Sequence, residues 1–165
     1  MMRETEEFLS LLACQRDLLL RLLDLTKDEH ESLVHGKPEL LDAITQEKTR
    51  LFTAQAKLSE HVTTAMMCIV GDGSLDPSSL TLSRVLDYLD ASAAETIRTL
   101  AKELFELEER LQREGRVNYV LAQQSLRYID YTLRIVSQDM DDPLPYHPTQ
   151  STTNKPVRLL MDTSA

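Results

Sequence analysis

The residues best suited to chemistry in this sequence are its four histidines, two of which enclose a glutamate in the order His30-Glu31-Ser-Leu-Val-His35. A zinc-binding HExxH helix places its histidines four residues apart, so that both face one side. Here the histidines are five residues apart. At roughly 100° per helical residue, this spacing turns His35 about 140° away from His30. We therefore expect no metal site and no cofactor.

Other catalytic patterns are also missing from the sequence. It contains no glycine-rich phosphate loop, no G-x-S-x-G turn and no Cys or Ser with an identifiable base. Cys14 and Cys68 would lie about 12 Å apart along an antiparallel helix pair that turns at Gly36, because each helical residue rises about 1.5 Å. A disulfide needs Cα atoms within about 7 Å, so we predict free thiols. The sequence thus predicts that the protein is not an enzyme.

The balance of charge argues against several classes of partner. The chain has 27 acidic and 18 basic residues, a net charge of −9, which repels the phosphates of nucleic acids and anionic membrane surfaces. Its first residues, Met-Met-Arg-Glu-Thr-Glu-Glu, differ from the basic and apolar regions of a signal peptide. No apolar run reaches the roughly 18 residues of a membrane span. We expect a cytoplasmic protein without nucleic-acid partners or membrane insertion.

Long Leu-rich segments of helical periodicity dominate the sequence. A broad apolar face predicts a first helix over about residues 4–35, which ends at Gly36 because glycine readily adopts the left-handed conformation that closes a helix. Pro38 suits the first turn of a second helix, predicted over 38–69. Polar residues such as Lys48 interrupt its apolar rhythm, and we expect their stems to pack while their polar ends reach water.

Two shorter signals follow this helix pair. Four apolar residues that share one stripe after an Asp-Pro start predict a short helix over about residues 77–90. Ser92 and Glu95 then have the spacing of a capping box, in which the two side chains close the first turn of a helix. This spacing predicts that the last helix begins near Ala93.

The last helix is the most regular segment of the chain. Its apolar residues recur after three and four positions through Gly115 without a slip, which predicts one continuous helix over about residues 93–138. The second half carries a further apolar stripe, offset by one residue, that comprises Tyr119, Ala122, Leu126, Ile129, Leu133, Val136 and Met140. This wide apolar face would either pack against both earlier helices or receive a partner helix, and the sequence leaves both interpretations open.

Together these segments predict an all-α protein, an antiparallel bundle of three long helices and one short helix over residues 1–140. The remaining residues, 141–165, contain four of the six prolines, many polar residues and a basic, aliphatic end. Such a composition cannot bury a core of its own. We therefore expect a mobile C-terminal tail.

Motifs along nearly the whole chain resemble the FlgN family. Residues 31–40 read Glu-Ser-Leu-Val-His-Gly-Lys-Pro-Glu-Leu and residues 44–51 read Ile-Thr-Gln-Glu-Lys-Thr-Arg-Leu, similar to a family pattern of helix end, glycine and Glu-Lys helix. Residues 118–128 add Asn-Tyr-Val-Leu-Ala-Gln-Gln-Ser-Leu-Arg-Tyr, and residues 143–146 add Pro-Leu-Pro-Tyr. The order and spacing of these motifs are similar to those of FlgN proteins.

The resemblance implies a cytosolic chaperone of flagellar type III export. Such a chaperone binds the C-terminal helices of the hook–filament junction proteins FlgK and FlgL, prevents their premature assembly and delivers them to the cytoplasmic domain of the export gate. The tail tyrosine that docks on the gate corresponds to Tyr146. The implied client-binding residues are Asn118, Leu121, Ala122, Leu126, Ile129, Leu133 and Val136. Two alternatives remain open, a structural coiled-coil protein that self-associates and a chaperone of a virulence-type secretion system.

Overall fold

The structure is a computed structural model, and it describes residues 2–71 and 80–141. In these ranges every regular element is a helix, which confirms the all-α prediction. Three helices are long and one is short. None of them has a stretch long and apolar enough to cross a membrane. The four helices are α1 (Met2–Val34), α2 (Pro38–Val70), α3 (Leu82–Leu86) and α4 (Ala91–Asp141).

The chain forms two units, residues 1–129 and residues 130–165. The first unit contains α1, α2, α3 and the part of α4 that ends at Ile129. In the second unit, the structure describes residues 130–141, which are helical. The greater part of the predicted tail lies outside the described residues.

The ends of α1 and α2 follow the glycine and proline signals in the sequence. Gly36 has a φ of 62° and Gly71 a φ of 68°, in the left-handed region that glycine enters at little cost. Gly71 closes α2 by donating its backbone N–H to the carbonyl of Met67 at 3.0 Å. Pro38 occupies the first turn of α2, where its missing N–H would have no partner in any case.

The region around α3 differs from the prediction. Of the predicted span 77–90, only Leu82–Leu86 forms an α-helix in the described part, because the chain turns after Val85, whose carbonyl accepts the N–H of Tyr88 at 3.1 Å. The cap of α4 is Asp90 rather than Ser92, since its carboxylate accepts the backbone N–H of Ala93 at 2.9 Å. The chain therefore leaves α3 through a turn and starts α4 two residues earlier than predicted.

The helix α4 runs without interruption through Gly115, as predicted. The glycine has helical geometry, and a Cβ built on it would meet nothing within 4 Å. Both thiols, Cys14 and Cys68, are free and exposed, which confirms that they are not paired. The predicted continuous helix is therefore present.

The core of the first unit lies where all four helices meet. Phe8, Leu19 and Ile97 are completely buried in it, and Val85 of α3 joins them. Two ion pairs, Arg21–Glu47 at 3.0 Å and Glu29–Lys48 at 2.7 Å, connect α1 to α2. Both pairs join the second half of α1 to the first half of α2, as in two antiparallel helices. The remaining buried apolar residues of the core cluster are Leu12, Ala65, Ile69, Val70 and Leu104.

Candidate partner-binding surface

A buried polar network ties α4 to the helix pair, and Asn118 is its centre. This residue is 4% exposed. Its amide nitrogen lies 2.7 Å from the carbonyl oxygen of Thr26 and 2.8 Å from a carboxylate oxygen of Glu29. Because both of these oxygens can only accept, the nitrogen must be the donor to each, which fixes the orientation of the amide. The amide oxygen then accepts a hydrogen bond from Nδ1 of His30 at 3.0 Å, so this nitrogen carries a proton.

The same network extends to α2 through Lys48. Its ammonium group donates to Glu29 at 2.7 Å, and the side chains of the pair are only 15% and 20% exposed. The expectation that the polar end of Lys48 reaches water is therefore wrong, because the carboxylate of α1 lies within reach and takes its place. Charge-assisted bonds of this kind are stronger than neutral ones. Asn118, Glu29 and Lys48 thus join three helices at one level.

The network also shows where the bundle ends. Asn118 bonds to Thr26 and His30 near the end of α1, and Glu103, earlier in α4, lies beside Arg16, earlier in α1. The two helices therefore run in the same direction and advance together by about 1.5 Å per residue. The helix α1 ends at Val34, four residues beyond His30, whereas α4 continues for eleven residues beyond Asn118 within the first unit. Val34 therefore lies level with Ala122. All residues of α4 from 123 to 129 are exposed.

The exposed part of α4 presents apolar side chains to solvent. Leu126 is 67% exposed, Ile129 is 53% exposed and Tyr119 is 64% exposed. Since buried side chains would lose most of this surface, Leu126 and Ile129 do not pack against α1 or α2. We use the name α4 face for the exposed Tyr119, Leu126 and Ile129 together with the half-buried Leu121 and Ala122 beside them.

The sequence-predicted client residues thus fall into three environments. Asn118 is inside the bundle, where it orients α4, and Leu121 and Ala122 lie at the edge of the bundle. Leu126 and Ile129 are exposed in the first unit. In the second unit, Leu133 and Val136 are also exposed, and Tyr146 lies outside the described residues.

The α4 face is poor in charge in a protein that is otherwise rich in it. Between residues 117 and 129 only Arg127 is charged, whereas nine of the sixteen residues from 101 to 116 are charged. The cores of protein interfaces show the same depletion of charge and the same enrichment in tyrosine. Tyr128 lies on the same part of α4 and is 71% exposed. The contrast in charge along α4 is the sequence signal that could have identified this exposed part of the helix.

An exposed, charge-poor apolar face on an all-α bundle is typical of the class of helical proteins that bind other proteins. A family model described as FlgN protein matches residues 1–154. The chain therefore belongs to the FlgN family, a family of flagellar export chaperones. It matches no curated protein and no solved structure in the corresponding comparisons.

Proposed function

We propose that this chaperone binds the C-terminal helices of FlgK- and FlgL-like hook–filament junction proteins, prevents their premature assembly and delivers them to the export gate in the cytoplasm. The observation that carries the proposal is the exposed apolar face formed by Tyr119, Leu126 and Ile129. An amphipathic terminal helix has an apolar stripe that must be covered until the helix reaches its place in the filament. A charge-poor helix face is suited to cover it.

The bundle gives this face its rigidity. Asn118 holds α4 to Thr26 and Glu29 about two turns before Leu126. Because α4 is fixed there, a client helix meets a surface whose side chains are already in place, and little conformational freedom is lost on binding. The net charge of −9 also keeps the free chaperone soluble while its apolar face is exposed.

The test is to replace Leu126 and Ile129 by alanine and to titrate the variant with a full-length FlgK-type protein. The two side chains are 67% and 53% exposed. Burial of a whole leucine or isoleucine side chain contributes about 1.5–3 kcal/mol, so the pair should contribute about 2–4 kcal/mol in all. Since about 1.4 kcal/mol corresponds to a tenfold change, the dissociation constant should rise about 30-fold or more.

The matched control is Phe105→Ala, which removes an apolar side chain that is 61% exposed on α4 but precedes the α4 face. This variant should bind the client as tightly as the wild-type protein does. Equal affinity of all three proteins would disprove client binding at this face. Sedimentation of the free protein over a range of concentrations addresses the structural coiled-coil alternative, which requires self-association.

Gate delivery is the second part of the proposal and depends on Tyr146. In the sequence this tyrosine lies between Pro145 and Pro148, which restrict the backbone and lower the cost of presenting an aromatic anchor. Tyr146→Ala should weaken binding of the client-loaded chaperone to the isolated cytoplasmic domain of the gate and leave client affinity unchanged. Indistinguishable dissociation constants for the gate would remove Tyr146 from the proposed site.

A further inference from the structure

The apolar face of α4 becomes wider where α1 ends. Up to Asn118 one row of residues, including Leu104, faces the core, and flanking positions such as Phe105 are exposed. From Tyr119 onward a second apolar row appears. Leu126 and Tyr128 mark the two edges of the widened face, and at roughly 100° per residue they lie about 160° apart when measured across Ile129.

A face of this width exceeds what one partner helix can cover. A helix that packs against a single neighbour uses a narrow seam, and a stripe of about 100° already serves a helix that faces the core of a bundle. A single helix seated on Leu126 would leave Tyr128 in solvent, although both side chains are more than 60% exposed. Two helices placed side by side would cover both edges.

We propose that residues 119–129 of α4 bind two helices of one client at once and complete a three-helix bundle with them. The proposal rests on the proposed function, because the occupant is the same client. It specifies the form of the client as a pair of adjacent amphipathic helices rather than a single helix. The row through Leu126 seats one helix of the pair, and the row through Tyr128 seats the other.

Continuity with the bundle inside the chaperone supports this arrangement. Before Ala122, α4 is already the third helix beside α1 and α2, and the hydrogen bonds of Asn118 and Glu29 connect all three. On either side of the turn between α1 and α2, two apolar side chains are exposed, Val34 at the end of α1 (57%) and Leu40 in the first turn of α2 (47%). A client helix pair that continues the bundle would meet these side chains with its end, which would set its position along α4.

The low charge of the α4 face indicates the chemistry of the pair. Because only Arg127 is charged between residues 117 and 129, the helices that pack there must present uncharged, apolar rows. A charged row would lose water without gaining a partner. The client segment is therefore expected to have two apolar stripes separated by a turn.

The test places a photo-crosslinking amino acid, p-benzoylphenylalanine, at position 126 in one variant and at position 128 in another. Each variant is irradiated in complex with the full-length FlgK-type protein, and the linked peptides are identified by mass spectrometry. We expect crosslinks from position 126 to map to one client helix and those from position 128 to a second helix, with a turn between them. Both positions are exposed in the chaperone, so the substitutions should leave its helicity unchanged.

The other outcomes each give a decision. Crosslinks from both positions to a single client helix would overturn the helix pair and leave the proposed function intact. Crosslinks to a second copy of this chain would replace the client pair with self-association. The same probe at position 105, outside the α4 face, serves as the control for nonspecific crosslinking. Normal client affinity without crosslinks from position 126 or 128 would place the client elsewhere and overturn the proposal. If the wild-type chaperone does not bind the FlgK-type protein at all, the proposed function itself is refuted.

Discussion

Replacing Asn118 with alanine should destabilise the first unit more than any change of an exposed polar residue on α4. The substitution removes the hydrogen bonds to Thr26 at 2.7 Å, to Glu29 at 2.8 Å and from His30 at 3.0 Å. A typical neutral hydrogen bond contributes about 0.5–1.5 kcal/mol and one to a charged group about 1.5–3 kcal/mol. Glu29 keeps its bond to Lys48, so we take the lower part of the combined range, about 2.5–4 kcal/mol.

Thermal unfolding followed by circular dichroism gives the measurement. For a chain of this size about 1 kcal/mol shifts the midpoint by roughly 2–4 °C, so Tm should fall by about 5–15 °C. Gln123→Ala is the matched control, because it removes a side-chain amide from an exposed position of α4, where the amide bonds to the hydroxyl of Tyr119 on the same helix. Its Tm should stay within about 2 °C of wild type, as expected for an exposed polar substitution.

A second readout separates a local effect from a general one. Amide hydrogen exchange reports the opening of individual segments. In Asn118→Ala, exchange should accelerate in α4 around residue 118, because the hydrogen bonds that join it to α1 are lost. If Asn118→Ala unfolds at the same temperature as Gln123→Ala, the hydrogen bonds of Asn118 do not contribute to stability and do not orient the α4 face.

Three further predictions follow from the structure and the sequence. Gly115→Ala should raise Tm by a few degrees, because the site is helical and open and alanine is about 1 kcal/mol better than glycine in a helix; a lower Tm would show that the glycine is required. Deletion of residues 142–165 should leave Tm unchanged, since the segment is too polar and proline-rich to add to a core; a clear fall would show that it packs. The hydrogen bond from Arg50 lowers the pKa of Glu47, although desolvation opposes this effect. The Arg50–Glu47 pair therefore contributes to stability above the ordinary carboxylate pKa, and this contribution is lost as pH falls through the lowered pKa of Glu47. An NMR titration that finds Glu47 at the ordinary carboxylate pKa would contradict the prediction.

The helices and their ends could be predicted because they depend on neighbours in sequence. A left-handed glycine at Gly36 and a proline at Pro38 end one helix and begin the next whatever surrounds them. The unbroken periodicity through Gly115 likewise outweighed the small cost of one glycine. The short helix was predicted too long, because its apolar stripe continues through the turn at Tyr88, where backbone geometry and not periodicity ends the helix.

By itself the sequence determined the helical class, the continuous last helix and the resemblance to FlgN, because these depend on local periodicity and on motifs in order. Only the tertiary structure decided which apolar residues of α4 are core and which are surface. An apolar stripe shows that a residue needs a neighbour, but whether that neighbour belongs to the same chain depends on where the packed helices end. Since α1 ends level with Ala122, Leu104 is buried while Leu126 faces solvent, and no pattern within α4 alone contains that comparison.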